Sequence, residues 1–165
     1  MIDPELLLPG DCLLYGRTPF RRSAVAWFFG TAINIKTWSR YCHVEIYDGE
    51  GESFASRDGQ GVACYPLRLS ELVCVRRPRL MDYDHDLTRA WFDKYADGQK
   101  YDWLGLLSFT YAIHRGDPGK MFCSEFATRA YRQGGLKPFN PALDADCVAP
   151  AQLWQSPAFE TIYES

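Results

Sequence analysis

The sequence predicts an α+β domain, a central antiparallel sheet with helices before and after it. Three observations carry that expectation. Between residues 42 and 77, short runs of alternating apolar and polar residues are separated by turn residues, which is the pattern of a strand meander. On either side of the meander, apolar residues recur at three- and four-residue spacing, the period of a helix. The chain has 165 residues, 47% apolar and 15% aromatic, which suffices for one domain with a buried core. Residues 1–165 are read as that single domain, without a linker, internal repeat or low-complexity tract.

Leu6-Leu7-Leu8-Pro9-Gly10-Asp11 reads as a turn leading into a short buried strand, Cys12-Leu13-Leu14-Tyr15. Ser23 is the expected N-cap of a helix over 24–29, with Gly30 as its stop. That segment is apolar on every side, so it is either buried or the lining of a greasy groove, with burial preferred. From Tyr41 the period changes. Cys42, Val44 and Ile46 fall on one face of a strand, while His43, Glu45 and Tyr47 fall on the other. Asp48-Gly49-Glu50-Gly51 is a hairpin turn, and strands are expected at 52–56, 61–67 and 72–77, the last closed by Pro78. A helix is predicted after Asp86 as N-cap, with Leu87, Ala90, Trp91 and Tyr95 on its inner stripe and an end near Gly98. Asp102 is the expected cap of another over 103–113. Phe126, Ala127, Ala130 and Tyr131 form the stripe of a helix that begins at Cys123 and stops at Gly134-Gly135. Pro150 opens a last short helix over 148–154.

Composition narrows the function. The net charge is −3, which implies no general attraction to nucleic acid or to an anionic membrane. The most apolar segment, 24–35, is too short to span a bilayer, so no stable membrane insertion is expected. The N-terminus lacks the basic and apolar regions of a secretory signal. Six cysteines occur without a CxxC pair, and Cys42-His43 is not zinc-ligand spacing, so neither metal nor cofactor is expected. They read as reduced thiols of a protein made in the cytosol.

Cys123 is the residue with the most chemistry to offer. Asp117-Pro118-Gly119-Lys120 is turn sequence, so the cysteine falls where loop becomes helix. Unpaired backbone N–H groups and the helix dipole there stabilise a thiolate. Taken alone, the residue is better explained as a buried structural thiol. Thiol catalysis also needs an imidazole in reach and a polar group to orient it. Of three histidines, His85 lies in a polar linker where solvent exposure is expected, and His114 ends a helix, where a cation needs no catalytic explanation. His43 stands near a strand start and shares its face with Glu45.

Six segments in order resemble a known family: Pro-Gly-Asp-x-Leu-Leu (9–14), His-Val-x-Ile-Tyr-x-Gly (43–49), Gly-Val with Tyr-Pro-Leu (61–67), Tyr-Asp (101–102), Phe-Cys-Ser-Glu-Phe-Ala (122–127) and Ala-Pro-Ala-Gln-Leu-Trp (149–154). In that order they look like the circularly permuted branch of the NlpC-type papain-like cysteine hydrolases, which includes lecithin retinol acyltransferase-like proteins. The resemblance spans about residues 6–157 and implies the permuted papain-like fold. It implies Cys123 as nucleophile, His43 as general base and then acid, and backbone N–H groups at the helix start as the oxyanion site. Tyr101 and Ser124 are then expected beside the substrate, Tyr101 as an aromatic cleft wall with a core tyrosine as the equal alternative.

One position departs from the family pattern. Relatives place the orienting polar group on the strand after the histidine strand, and the corresponding residue here is Phe54, which cannot serve. Glu45, two residues from His43 on the same face, is the expected orienting group, with Ser56 and Glu52 as alternatives. The resemblance points to a peptidase or amidase acting on a cell-wall peptide. The His-Val-Glu variant and the Ala-Ser-Arg-Asp-Gly turn look most like bacteriophage-encoded members, which adds a virion or the cell wall as destinations. An acyltransferase or thioesterase taking acyl or lipid substrates is the alternative, and a non-catalytic binding or virion-structural protein is a third reading.

Overall fold

The computed structural model describes residues 2–16, 24–79, 83–102, 105 and 119–165. Six strands form one antiparallel sheet: β1 (Cys12–Tyr15), β2 (His43–Gly49), β3 (Glu52–Arg57), β4 (Gly61–Pro66), β5 (Leu72–Pro78) and β6 (Phe159–Glu164). Their spatial order is β4-β3-β2-β1-β5-β6, so the short β1 lies in the middle, between the two ends of the meander. Among the described residues, four helices accompany the sheet: α1 (Ala24–Thr37), α2 (His85–Trp91), α3 (Cys123–Gln133) and α4 (Pro150–Gln155). This is the α+β arrangement that the two periodicities predicted.

Alternation along the central strands puts apolar side chains on both faces of the sheet. Cys12, Leu14, Val44, Ile46, Phe54, Val62 and Cys74 meet the α3 stripe of Phe126, Ala127, Ala130 and Tyr131 in the main core. Leu13, Tyr15, Tyr47, Leu72 and Val75 form a smaller cluster on the other face, closed by Ile2 and Leu7. Phe126 is fully buried, so its truncation to alanine would cost about 3–5 kcal/mol. Gly134 and Gly135 end α3, with Gly135 at φ 87° and the Leu136 N–H bonded to the Tyr131 carbonyl. Pro150 occupies the first turn of α4, where its missing N–H costs nothing.

Four local expectations need correction. Gly30 does not stop α1, which continues to Thr37 before Trp38 turns to φ 49°. One interior glycine costs only about 1 kcal/mol, which by itself does not end a helix. The N-cap of α2 is Asp84, whose carboxylate accepts from the Leu87 N–H at 3.1 Å, rather than Asp86. Its inner residues are Thr88, Phe92 and Ala96, while Leu87 and Tyr95 are exposed. The helix widens into a π-turn at Phe92–Ala96, which carries Phe92 and Ala96 inward together. His85 is half-buried, with Nε2 3.1 Å from Asp48 and its ring stacked on Phe54. Finally, β6 has no counterpart in the sequence reading. A register shift between Val75 and Arg76 breaks the alternation by which a strand is recognised. The predicted cap Ser23, nearly all of the helix at 103–113 and His114 lie outside the described residues, although Asp102 does accept from the Gly105 N–H at 2.8 Å.

Candidate active site

Strand β2 supplies an imidazole and a carboxylate from one face, because His43 and Glu45 are two residues apart. They touch directly: His43 Nε2 lies 3.0 Å from Glu45 Oε1. The other side of the imidazole meets Cys123, which adds a side-chain hydrogen bond and an electrostatic interaction. With Nε2 committed to Glu45, Nδ1 is the nitrogen left for the sulfur. Tyr15, the β1 residue opposite His43 in the sheet register, flanks the ring at 5.9 Å between centroids.

Glu45 is completely buried, and a carboxylate in that position must be fully hydrogen-bonded to remain charged. Strand β3 places Ser53 and Arg57 on the face it shares with Glu45, as diagonal neighbours across the β2–β3 pair. Arg57 grips both carboxylate oxygens, Nε to Oε1 at 2.9 Å and Nη2 to Oε2 at 3.0 Å. Ser53 Oγ donates to Oε2 at 2.6 Å. Arg68, just before the short turn at Leu69–Glu71, donates from Nη2 to Oε1 at 2.7 Å. Burial alone would raise the Glu45 pKa, yet His43, Arg57 and Arg68 hold it far below the ordinary carboxylate range. Each guanidinium also stacks on a tyrosine, Arg57 over Tyr65 at 4.3 Å and Arg68 over Tyr15 at 4.8 Å.

Cys123 opens α3, and its approach is tied down from three sides. Ser56 Oγ donates to the Met121 carbonyl at 2.5 Å. The Met121 N–H bonds the Lys100 carbonyl at 3.2 Å, and the Phe122 N–H donates to the Glu125 carboxylate. That last contact is half of a capping box and fixes the first turn. Among the described residues, no backbone acceptor takes the Cys123 or Ser124 N–H, as expected for a helix start. Burial pushes the Glu125 carboxyl up to about 7, against the pull of Arg129 at 2.8 Å.

His43 is 19% exposed by side chain. Burial disfavours its charged form, but the Cys123 sulfur, by charge and by hydrogen bond, and then Glu45 outweigh that and raise its pKa to about 9. A histidine held above its unfolded value stabilises the fold fully below that value, 6.5, and the contribution fades as pH rises through about 9. Denaturant unfolding at pH 6.5 and 9.5 should therefore show a loss of stability that is smaller in Cys123→Ala, where the sulfur's share is gone. Equal losses in the two proteins would separate His43 from Cys123.

The predicted site residues thus divide clearly. Cys123, His43 and Glu45 come together. Tyr101 is partly buried against Ile33, Cys42 and Phe122, close enough to Cys123 that the sulfur, after burial itself, raises its pKa. The Ser124 hydroxyl is buried and donates to the Val148 carbonyl at 2.6 Å, so only its backbone N–H is left to face a substrate. Of the two alternatives to Glu45, Ser56 holds Met121, and Glu52 is exposed and bonded to Cys64 at 3.2 Å. Sequence reasoning missed Ser53, Arg57 and Arg68. Alternation along β3 puts the first two on one face, but only the register of β3 on β2 brings that face to Glu45; Arg68 gave no periodic signal.

All six cysteines are free thiols. Asp48, Glu52 and Cys64 hold donor atoms within 4.8 Å of one another at the β2–β3 turn. They satisfy one another and their neighbours, with His85 and Arg89 on Asp48 and Cys64 on Glu52. Among the described residues, no helix is long and apolar enough to cross a membrane. Comparison of the chain with protein-family models and with curated proteins finds no match in either.

Proposed function

We propose that the chain is a cysteine hydrolase of permuted papain-like architecture that cleaves an amide bond through an acyl-enzyme. The observation that supports it most is the position of His43 between a thiol at a helix start and a buried, fully hydrogen-bonded carboxylate. In this mechanism the Cys123 thiolate attacks the carbonyl carbon, and the displaced electron pair resides on oxygen, facing the N–H groups of the first turn of α3. Collapse of the intermediate expels the amine as His43 gives it a proton. Water then attacks the thioester, His43 takes a proton from it, and the acid leaves with the thiolate restored. Glu45 holds the ring throughout. The substrate is a cell-wall peptide, and the setting bacteriophage lysis or entry, on the strength of the sequence resemblance.

His43→Ala should slow alkylation of Cys123 by iodoacetamide near pH 7 by about tenfold or more, because the thiolate loses its counter-ion. An unchanged rate would remove His43 as the partner. The deciding experiment is mass spectrometry of the protein incubated with cell-wall peptides and, separately, with acyl thioesters. A cleaved peptide supports the amidase reading. A long-chain acyl group retained on Cys123, with the peptides intact, supports acyl transfer instead. One observation favours that second reading: α1 sends Ile33 against Phe122, beside the nucleophile, and leaves Phe28 and Ile35 exposed at 61% and 69%. An apolar helix next to the sulfur is a surface that an acyl chain could follow.

A further inference from the structure

Glu45 carries one negative charge but contacts two guanidiniums. A single arginine already binds it bidentately, so orientation of the carboxylate does not require Arg68. Arg68 Nη2 and His43 Nε2 both lie on Oε1, at 2.7 and 3.0 Å, which brings the guanidinium within about 6 Å of the imidazole. We propose that Arg68 is a positioning residue of the Cys123–His43 pair that acts by charge: it over-neutralises Glu45, weakens the carboxylate's hold on the His43 proton, and makes the imidazolium a better acid toward the leaving group. The inference rests on the reading of Cys123 and His43 as the reacting pair.

The physical argument is one of balance. The groups on the imidazole are the Cys123 sulfur from α3, Glu45 from its own strand and the Tyr15 ring from β1; on Glu45, behind it, are Arg57 and Ser53 from β3 and Arg68 from the connection between β4 and β5. Tyr101 lies beyond the sulfur, and Glu71 touches Arg68 only weakly, at 3.5 Å. A buried carboxylate paired with a thiolate would together bind the His43 proton too tightly for use. A general acid works best with a pKa near the working pH. The second guanidinium moves the imidazolium in that direction. Arg68 is 31% exposed, so solvent screens part of its field.

The test follows the His43 imidazole by NMR of ¹³C-labelled histidine, the signal being assigned by its loss in His43→Ala. Arg68→Gln should raise the His43 titration by about one pH unit, a tenfold change in proton affinity. Arg68→Lys, which keeps the charge, should titrate with the wild type. If the proposed amidase activity is present, Arg68→Gln should lower amide turnover several-fold yet spare an activated ester, whose leaving group needs no proton. A His43 titration unmoved in Arg68→Gln, or moved equally in Arg68→Lys, would make Arg68 a structural residue only. Cys123→Ala tests the underlying pair separately: it should lower the His43 titration, and failure to do so would reject the pair whatever Arg68 does.

Discussion

Replacing Cys123 with alanine should reduce turnover of any amide, ester or thioester substrate by at least about a thousandfold, because Cys123 is the thiol that hydrogen-bonds His43. The fold should survive. Cys123 is buried in the main core, and loss of one sulfur leaves a cavity worth about 1 kcal/mol, while the α3 stripe from Phe126 to Tyr131 is untouched. Circular dichroism and thermal melting check the fold, and turnover is read on whichever substrate the mass spectrometry identifies. Retained activity would reject the nucleophile assignment outright.

Glu45→Gln should have the second-largest effect, and it should act on rate and stability together. The amide has nearly the shape of the carboxylate but presents an N–H₂ where an acceptor is needed. His43 loses its orienting acceptor, for which a loss of about 10²- to 10⁴-fold in turnover is expected. Arg57 and Arg68 lose their counter-ion while Arg57 remains largely buried, which should cost about 3 kcal/mol in denaturant unfolding at pH 7. The sign of the pH dependence follows from the depressed Glu45 pKa. Its stabilisation is present above the ordinary carboxylate value and is lost as pH falls toward the folded value, so the wild type and the variant should converge in acid. Near-wild-type kinetics would end the orienting role of Glu45.

The sheet and the helix that begins at Cys123 were legible because each repeats a simple period over many residues. Val44 and Ile46 alternate cleanly, and the α3 stripe runs over two turns. Boundaries failed where a general rule was too coarse: the Asp84 carboxylate took the Leu87 N–H, and one glycine, Gly30, was too weak a breaker to end α1. The site was legible only in part. Glu45 could be picked out because it shares a strand face with His43, which is a local relation. Arg57 required the register of β3 on β2, and Arg68 required the path of a connection, and both of those relations are set by tertiary structure. Ser124 shows the same limit: its place at the start of α3 is read from the sequence, but the direction of its hydroxyl, toward the Val148 carbonyl, is set by how the helix packs.

The bond from Ser56 to the Met121 carbonyl joins residues 65 apart in sequence. Closing so long a loop is slow compared with forming the hairpins of the meander, whose contacts are local. Strands β2 and β3 can therefore pair, and His43 can find Glu45, before the segment leading to Cys123 has docked. Under the proposed mechanism, reactivity would be the last thing the molecule acquires. In a partly folded chain the sulfur lacks its imidazole and behaves as an ordinary thiol, with no heightened nucleophilicity to spend on the wrong partner. Under the proposed mechanism, order of assembly would act as a safeguard: the sulfur would meet its imidazole only once the segment leading to Cys123 has docked.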